Sequence, residues 1–169
     1  MKKDRKYERI RRQREKINES FHEEMVEKIF ENPNLLNEKW EVLWKAQPKS
    51  PELALGSSPD RETIDLLFLA KLPTRLEIIL GEIKVGTGSY AWKGAIQLEI
   101  AKKYFRKNWK KWLREKIEGK LELMEKSEVW LISLLLYCQP LEEIKNSILR
   151  EKERKLGEII LTANGVRFF

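Results

Sequence analysis

Apolar and polar positions change rhythm several times along this chain, and each change marks an element. Ile17, Phe21, Met25 and Ile29 recur every fourth residue among charged neighbours, which predicts a helix over 17–30 with one inward face. Asn32-Pro33-Asn34 should stop it. Trp40 to Ala46 mixes aromatic and β-branched residues and reads as a first strand. Two further strands are expected at Thr63–Ala70 and Leu76–Val85, paired antiparallel across Lys71-Leu72-Pro73-Thr74-Arg75, a break of hairpin length. Pro48 to Arg61 is a long loop, of the kind that often carries function.

Beyond Gly86-Thr87-Gly88-Ser89-Tyr90, read as a flexible strand-to-helix turn, a second helix is predicted from about Ala91. Phe105, Trp109 and Trp112 fall at helical spacing within it, so they read as core rather than as base-stacking platforms. Gly119 marks a break before Leu121–Lys126. Val129 to Tyr137 is almost continuously apolar, the mark of a strand covered on both faces and parallel to a neighbour reached by a helical crossover. Pro140 opens a helix over 141–155, and Asn164-Gly165 between apolar runs predicts a terminal hairpin. The order of elements gives an α/β class with a mixed central sheet flanked by helices. No repeat or linker divides residues 17–169, so they read as one domain behind a basic arm, 1–16, that is flexible or helical.

Composition narrows the setting. A chain of 169 residues can hold a proper core, and its single Cys138 cannot form an internal disulfide. With no signal peptide and no apolar run of membrane-spanning length, the expectation is an intracellular, soluble, cytoplasmic protein without a membrane partner. Many Lys and Glu, with one Cys and three Met, are compatible with a thermophilic source. The net charge of +7 is unevenly spread. Residues 1–16 carry nine Lys or Arg against three acids, and 102–116 carry eight against Glu115 alone, leaving the remainder net negative. Two basic segments on an acidic body suit a nucleic acid, with Lys102, Lys103, Arg106, Lys107 and Lys110 as candidate phosphate contacts. A solvated arm is the plain alternative for the first segment.

Charge inside the two central strands is the feature that needs explaining. Asp65 leads the first, while Glu82 and Lys84 come late in the second and, two apart, share a face. A hairpin brings these ends together. Burying such groups costs several kcal/mol unless they are paired or bound to a cation. Two close carboxylates suit Mg2+, beside which a lysine can position water or neutralise charge on phosphorus. The alternative is a structural Asp65–Lys84 ion pair with Glu82 at a solvated strand end.

An acid leading an apolar strand, a hairpin return ending Glu82-Ile83-Lys84, and a helix bearing Gln97 resemble the PD-(D/E)xK nuclease superfamily, which includes restriction endonucleases, archaeal Holliday junction resolvases and RecB-like nucleases. The resemblance spans about residues 18–137 and implies a restriction-endonuclease-like core and DNA phosphodiester hydrolysis dependent on Mg2+, for which Mn2+ can substitute. Asp65 and Glu82 would hold the ion with the Ile83 carbonyl and a glutamate of the first helix, Glu23 ahead of Glu19. Lys84 would orient water or stabilise the phosphorane, and Gln97 would orient the water or Lys84. Asp65 is preferred to Asp60, since Pro59-Asp60 lies in a polar turn rather than against a strand. His22 reads as packing or surface. Ala101 stands where RecB-like members carry a tyrosine, with Tyr104 one turn on as a substitute. A homodimer is compatible, because cutting both strands needs two sites. The other readings are a non-catalytic nucleic-acid-binding protein and a structural or assembly module.

Overall fold

The central apolar runs have no polar face, so a sheet built from them must be covered on both sides. The computed structural model describes residues 2–56, 62–85, 91–118, 121–138 and 160–168. In chain order these form α1 (Lys2–Glu31), β1 (Glu41–Lys45), β2 (Ala54–Leu55), β3 (Glu62–Thr63), β4 (Leu66–Leu72), β5 (Arg75–Val85), α2 (Ala91–Lys116), α3 (Leu121–Lys126), β6 (Glu128–Cys138) and β7 (Ile160–Phe168). Five strands make one sheet in the order β1-β4-β5-β6-β7, and β2 with β3 makes a small second one. The β5–β6 pair is parallel and the other pairs are antiparallel, so the sheet is mixed.

Alternation along β4 and β5 divides the core into two layers. Phe68, Ile79 and Ile83 meet Met25, Val26 and Ile29 of α1 on one face. Leu67, Leu69, Ile78 and Leu80 meet Leu98, Ala101, Phe105 and Leu113 of α2 on the other. Phe105 and Trp112 are buried and stack edge-on, and Trp112 meets Trp44 in the same way, so these two aromatics are core, as their spacing predicts. The end of α1 is anchored from the sheet: Lys45 Nζ donates to the Phe30 carbonyl at 2.7 Å, a cation on orphan carbonyls where the helix dipole favours one.

The basic arm takes its helical form over residues 4–16, continuous with the rest of α1. Several expectations need correction. The break between β4 and β5 is only Pro73-Thr74, because ladder pairing continues through Leu72↔Arg75. The long loop is partly ordered by a 3-10 turn at Pro51–Leu53 and by the β2–β3 pair. Asn164-Gly165 makes no hairpin: Asn164 lies opposite Ser133 and Gly165 opposite Ile132, in mid-ladder. A long edge of β6 offers continuous backbone partners, and that tertiary pairing overrides a local turn preference. The helix expected over 141–155, the segment 86–90, Gly119 and Asp60 lie outside the described residues.

Candidate functional site

Register decides the site. Leu66 pairs with Gly81, so Asp65, one residue earlier, meets β5 just where Glu82 begins the charged triplet. The Asp65 backbone N–H donates to the Gly81 carbonyl at 3.1 Å and to Glu82 Oε2 at 3.2 Å. In return, the Ile83 N–H donates to Asp65 Oδ2 at 2.8 Å. Both carboxylates are thus held by backbone as well as by side chains. Glu82 and Lys84 point to the α2 face, as period-two alternation requires. Lys84 Nζ donates to Glu82 Oε1 at 3.0 Å and to Gln97 Oε1 at 3.1 Å. The Gln97 amide nitrogen reaches the Thr63 carbonyl at 3.3 Å. Asp65, Glu82, Lys84 and Gln97 therefore form one connected cluster. The structural alternative fares differently, since Lys84 pairs with Glu82 rather than Asp65, and Glu82 is 3% exposed rather than solvated.

Two residues stand otherwise than expected. Glu23 does not turn to this cluster; its carboxylate is exposed and takes Lys49 Nζ at 2.9 Å, which holds it below the usual carboxylate range. Lys49 adopts a left-handed φ of 63° in the loop before β2. One position before Glu23, His22 Nε2 donates to Asp65 Oδ2 at 3.0 Å. His22, read from sequence as packing or surface, is the α1 side chain at the site, because its helical position places it beside Val26 and Ile29 on the sheet-facing side. The signal in sequence was a lone imidazole flanking an apolar stripe, which becomes meaningful only once Asp65 lies under it. A cleft opens beside it, lined by His22, Glu23, Gln47, Lys49, Thr63 and Asp65.

Electrostatics follow from the crowding of two acids. Burial first, and then the negative charge of Asp65, push the Glu82 carboxyl up to about 7 despite the nearby Lys84. The hydrogen bond to Asp65 raises the His22 imidazole, against the opposing effect of burial. For both groups the folded protein favours the protonated form. Stability from this source is full below their unfolded values, near 4.5 and 6.5, and is lost as pH rises through the higher folded ones. We expect the protein to melt at lower temperature as pH climbs towards and past about 7. Melting curves against pH check this; a flat profile would argue against the crowded pair.

Gly94 gives α2 its close approach. A Cβ there would come within 2.7 Å of Leu135 Cδ1 and 2.9 Å of Lys84 Cε. Both are the far ends of flexible chains, so Gly94→Ala should cost little stability but displace the Lys84 ammonium. The expected result is a near-normal melting temperature with a reduction in the activity proposed below. A variant as active as wild type would show that the position of Lys84 is immaterial.

No family model matches this chain, and neither a curated protein nor a solved structure shows significant similarity to it. What the site can do must therefore be read from its own groups. Among the described residues no three His, Cys, Asp or Glu side chains form a ready-made metal cage. The donor chemistry nevertheless fits a hard divalent cation. Asp65 and Glu82 are adjacent carboxylates, the second of which keeps a proton until about pH 7, and the His22 imidazole lies against Asp65.

The basic surface of α2 lies on the same helix as Gln97. Lys103, Arg106, Lys107 and Lys110 are exposed. Lys102 is not among them: it is 5% exposed and paired with Glu99 at 2.7 Å, because its position on α2 falls on the sheet-facing side. Lys103, Arg106 and Lys107 line a groove together with Ile96, Glu99, Ile100 and Tyr104.

Proposed function

We propose that this chain is a divalent-metal-dependent nuclease of the PD-(D/E)xK type, with a restriction-endonuclease-like core, that hydrolyses DNA phosphodiester bonds. The observation that carries the reading is the linkage of Asp65, Glu82, Lys84 and Gln97 through hydrogen bonds at one end of the β4–β5 hairpin. Asp65 and Glu82 would hold Mg2+, or Mn2+ in its place, with the Ile83 carbonyl; His22 takes the place beside them that the resemblance gives to a helix glutamate. A bound divalent ion supplies Lewis acidity and a more acidic water.

The chain's own groups do the rest. Lys84 carries a positive charge fixed between Glu82 and Gln97, so it can face a phosphoryl oxygen without reorganising as negative charge builds there. Gln97, tied to the Thr63 carbonyl, sets the direction of that ammonium. Lys103, Arg106, Lys107 and Lys110 would grip the substrate backbone, and that grip should weaken steeply with salt.

The test is cleavage of labelled single-stranded, duplex, flap and four-way-junction DNA with Mg2+, Mn2+ or EDTA, using wild type and Lys84→Ala. Metal-dependent cutting that disappears in a folded Lys84→Ala protein is the expected result. A non-catalytic nucleic-acid-binding role is the second reading, favoured by the exposed cations of α2. It gains if nothing is cut while all forms bind DNA equally.

A further inference from the structure

Helix α1 is longer than its core requires. Its burial begins near Asn18, and every described side chain from Asp4 to Ile17 is exposed, including Tyr7 at 77%, Ile10 at 43% and Ile17 at 51%. A helical stretch this polar and short of packing is marginal alone in water. Something that covers it would stabilise it.

Its charge is arranged in two opposite halves. Residues 2–16 hold nine Lys or Arg against three acids, and residues 17–31 hold five Glu against Lys28. These are +6 and −4 on one continuous helix. Arg5, Arg9, Arg12 and Lys16 recur at three- and four-residue steps, and Glu19, Glu23 and Glu27 continue the same line. All seven are exposed, on the side away from Met25 and Ile29, so a basic stripe becomes an acidic one along a single face.

We infer that α1 is a self-association surface that pairs antiparallel with α1 of a second copy of this chain. Antiparallel pairing about a two-fold axis sets each basic half against an acidic half, which is the self-complementarity that an isologous interface needs. Tyr7, Ile10 and Ile17 lie on another side of the helix, so the pairing rests on charge carried along seven stripe positions rather than on an isolated ion pair. A polyanion fits less well, because it would meet the five glutamates as it followed the helix towards the sheet. In the pair, the basic half of one copy comes to lie over Glu23 and Glu27, at the rim of the other copy's cleft beside Asp65.

Light scattering and sedimentation velocity of the full chain test this with two charge-reversed variants. In the first, Arg5, Arg9 and Arg12 become Glu; in the second, Glu19, Glu23 and Glu27 become Lys. Wild type should have twice the chain's mass at low salt and shift towards the single-chain mass as salt rises. Each variant alone should be monomeric, and an equimolar mixture should recover the doubled mass, which also shows that both variants fold. A monomeric wild type at high concentration overturns the proposal, as does a dimer untouched by either reversal. A monomer whose DNA affinity falls in the first variant would instead make α1 a nucleic-acid arm.

Discussion

Asp65→Asn should lower the proposed metal-supported cleavage by roughly a thousandfold, about 4 kcal/mol of transition-state stabilisation, while leaving the fold in place. The separation of the two effects rests on what the carboxylate does. Its Oδ2 accepts the Ile83 N–H and the His22 ring N–H, and an amide oxygen can still accept from either. What the amide cannot supply is negative charge for a cation. Removing that charge also removes the second cause of the raised Glu82 carboxyl, so Glu82 should titrate below its present value of about 7. Single-turnover cleavage with Mg2+, beside circular dichroism and thermal melts, checks both halves. Unchanged cutting would remove Asp65 from the reaction, and an unfolded protein would show it to be a structural acid.

The second large effect lies on the α1 face of β5, at the other end of the strand. Glu77 is buried, and its carboxylate takes Arg75 at 2.7 Å and the Trp40 indole N–H at 2.8 Å. Arg75 also lies over the Trp130 ring, 4.8 Å from its centroid. Arg75→Ala leaves a buried anion with only the indole for a partner and should cost about 3 kcal/mol of stability. Adding Glu77→Gln removes the stranded charge while keeping an acceptor for Trp40, so the double variant should recover much of the loss. Urea unfolding of the three proteins measures this; simple additivity would show that the pair is not coupled. None of these changes touches the Asp65 cluster, so cleavage per folded molecule should stay at the wild-type level.

These two carboxylate sites show why the same strand is hard to interpret from letters alone. Glu77 and Glu82 are both buried acids in β5. Odd and even positions send them to opposite layers, one to Arg75 and Trp40 and the other to Lys84 and Gln97. Only Glu82 has a second acid beside it. In sequence Glu82 is marked by Lys84 two residues on within the strand, whereas Arg75 beside Glu77 reads as part of the turn and the other partner, Trp40, lies far away along the chain.

Short-range physics in the sequence determined the strands at the centre of the chain, the helix from Ala91, the α/β class, and the meeting of Asp65 with Glu82 and Lys84. Each follows from period, turn residues and alternation, which act over a few residues. The tertiary structure decided what depends on distant partners. It brought His22 rather than Glu23 onto Asp65, because the packing of α1 fixes the helix's rotation over the sheet. It buried Lys102 against Glu99 and left its neighbours exposed. It drew Asn164-Gly165 into a ladder with β6, where a row of backbone groups outweighs a local preference to turn. It also carried α1 past its core as an exposed helix with opposite charges on its two halves, a feature that composition alone had shown only as a basic end.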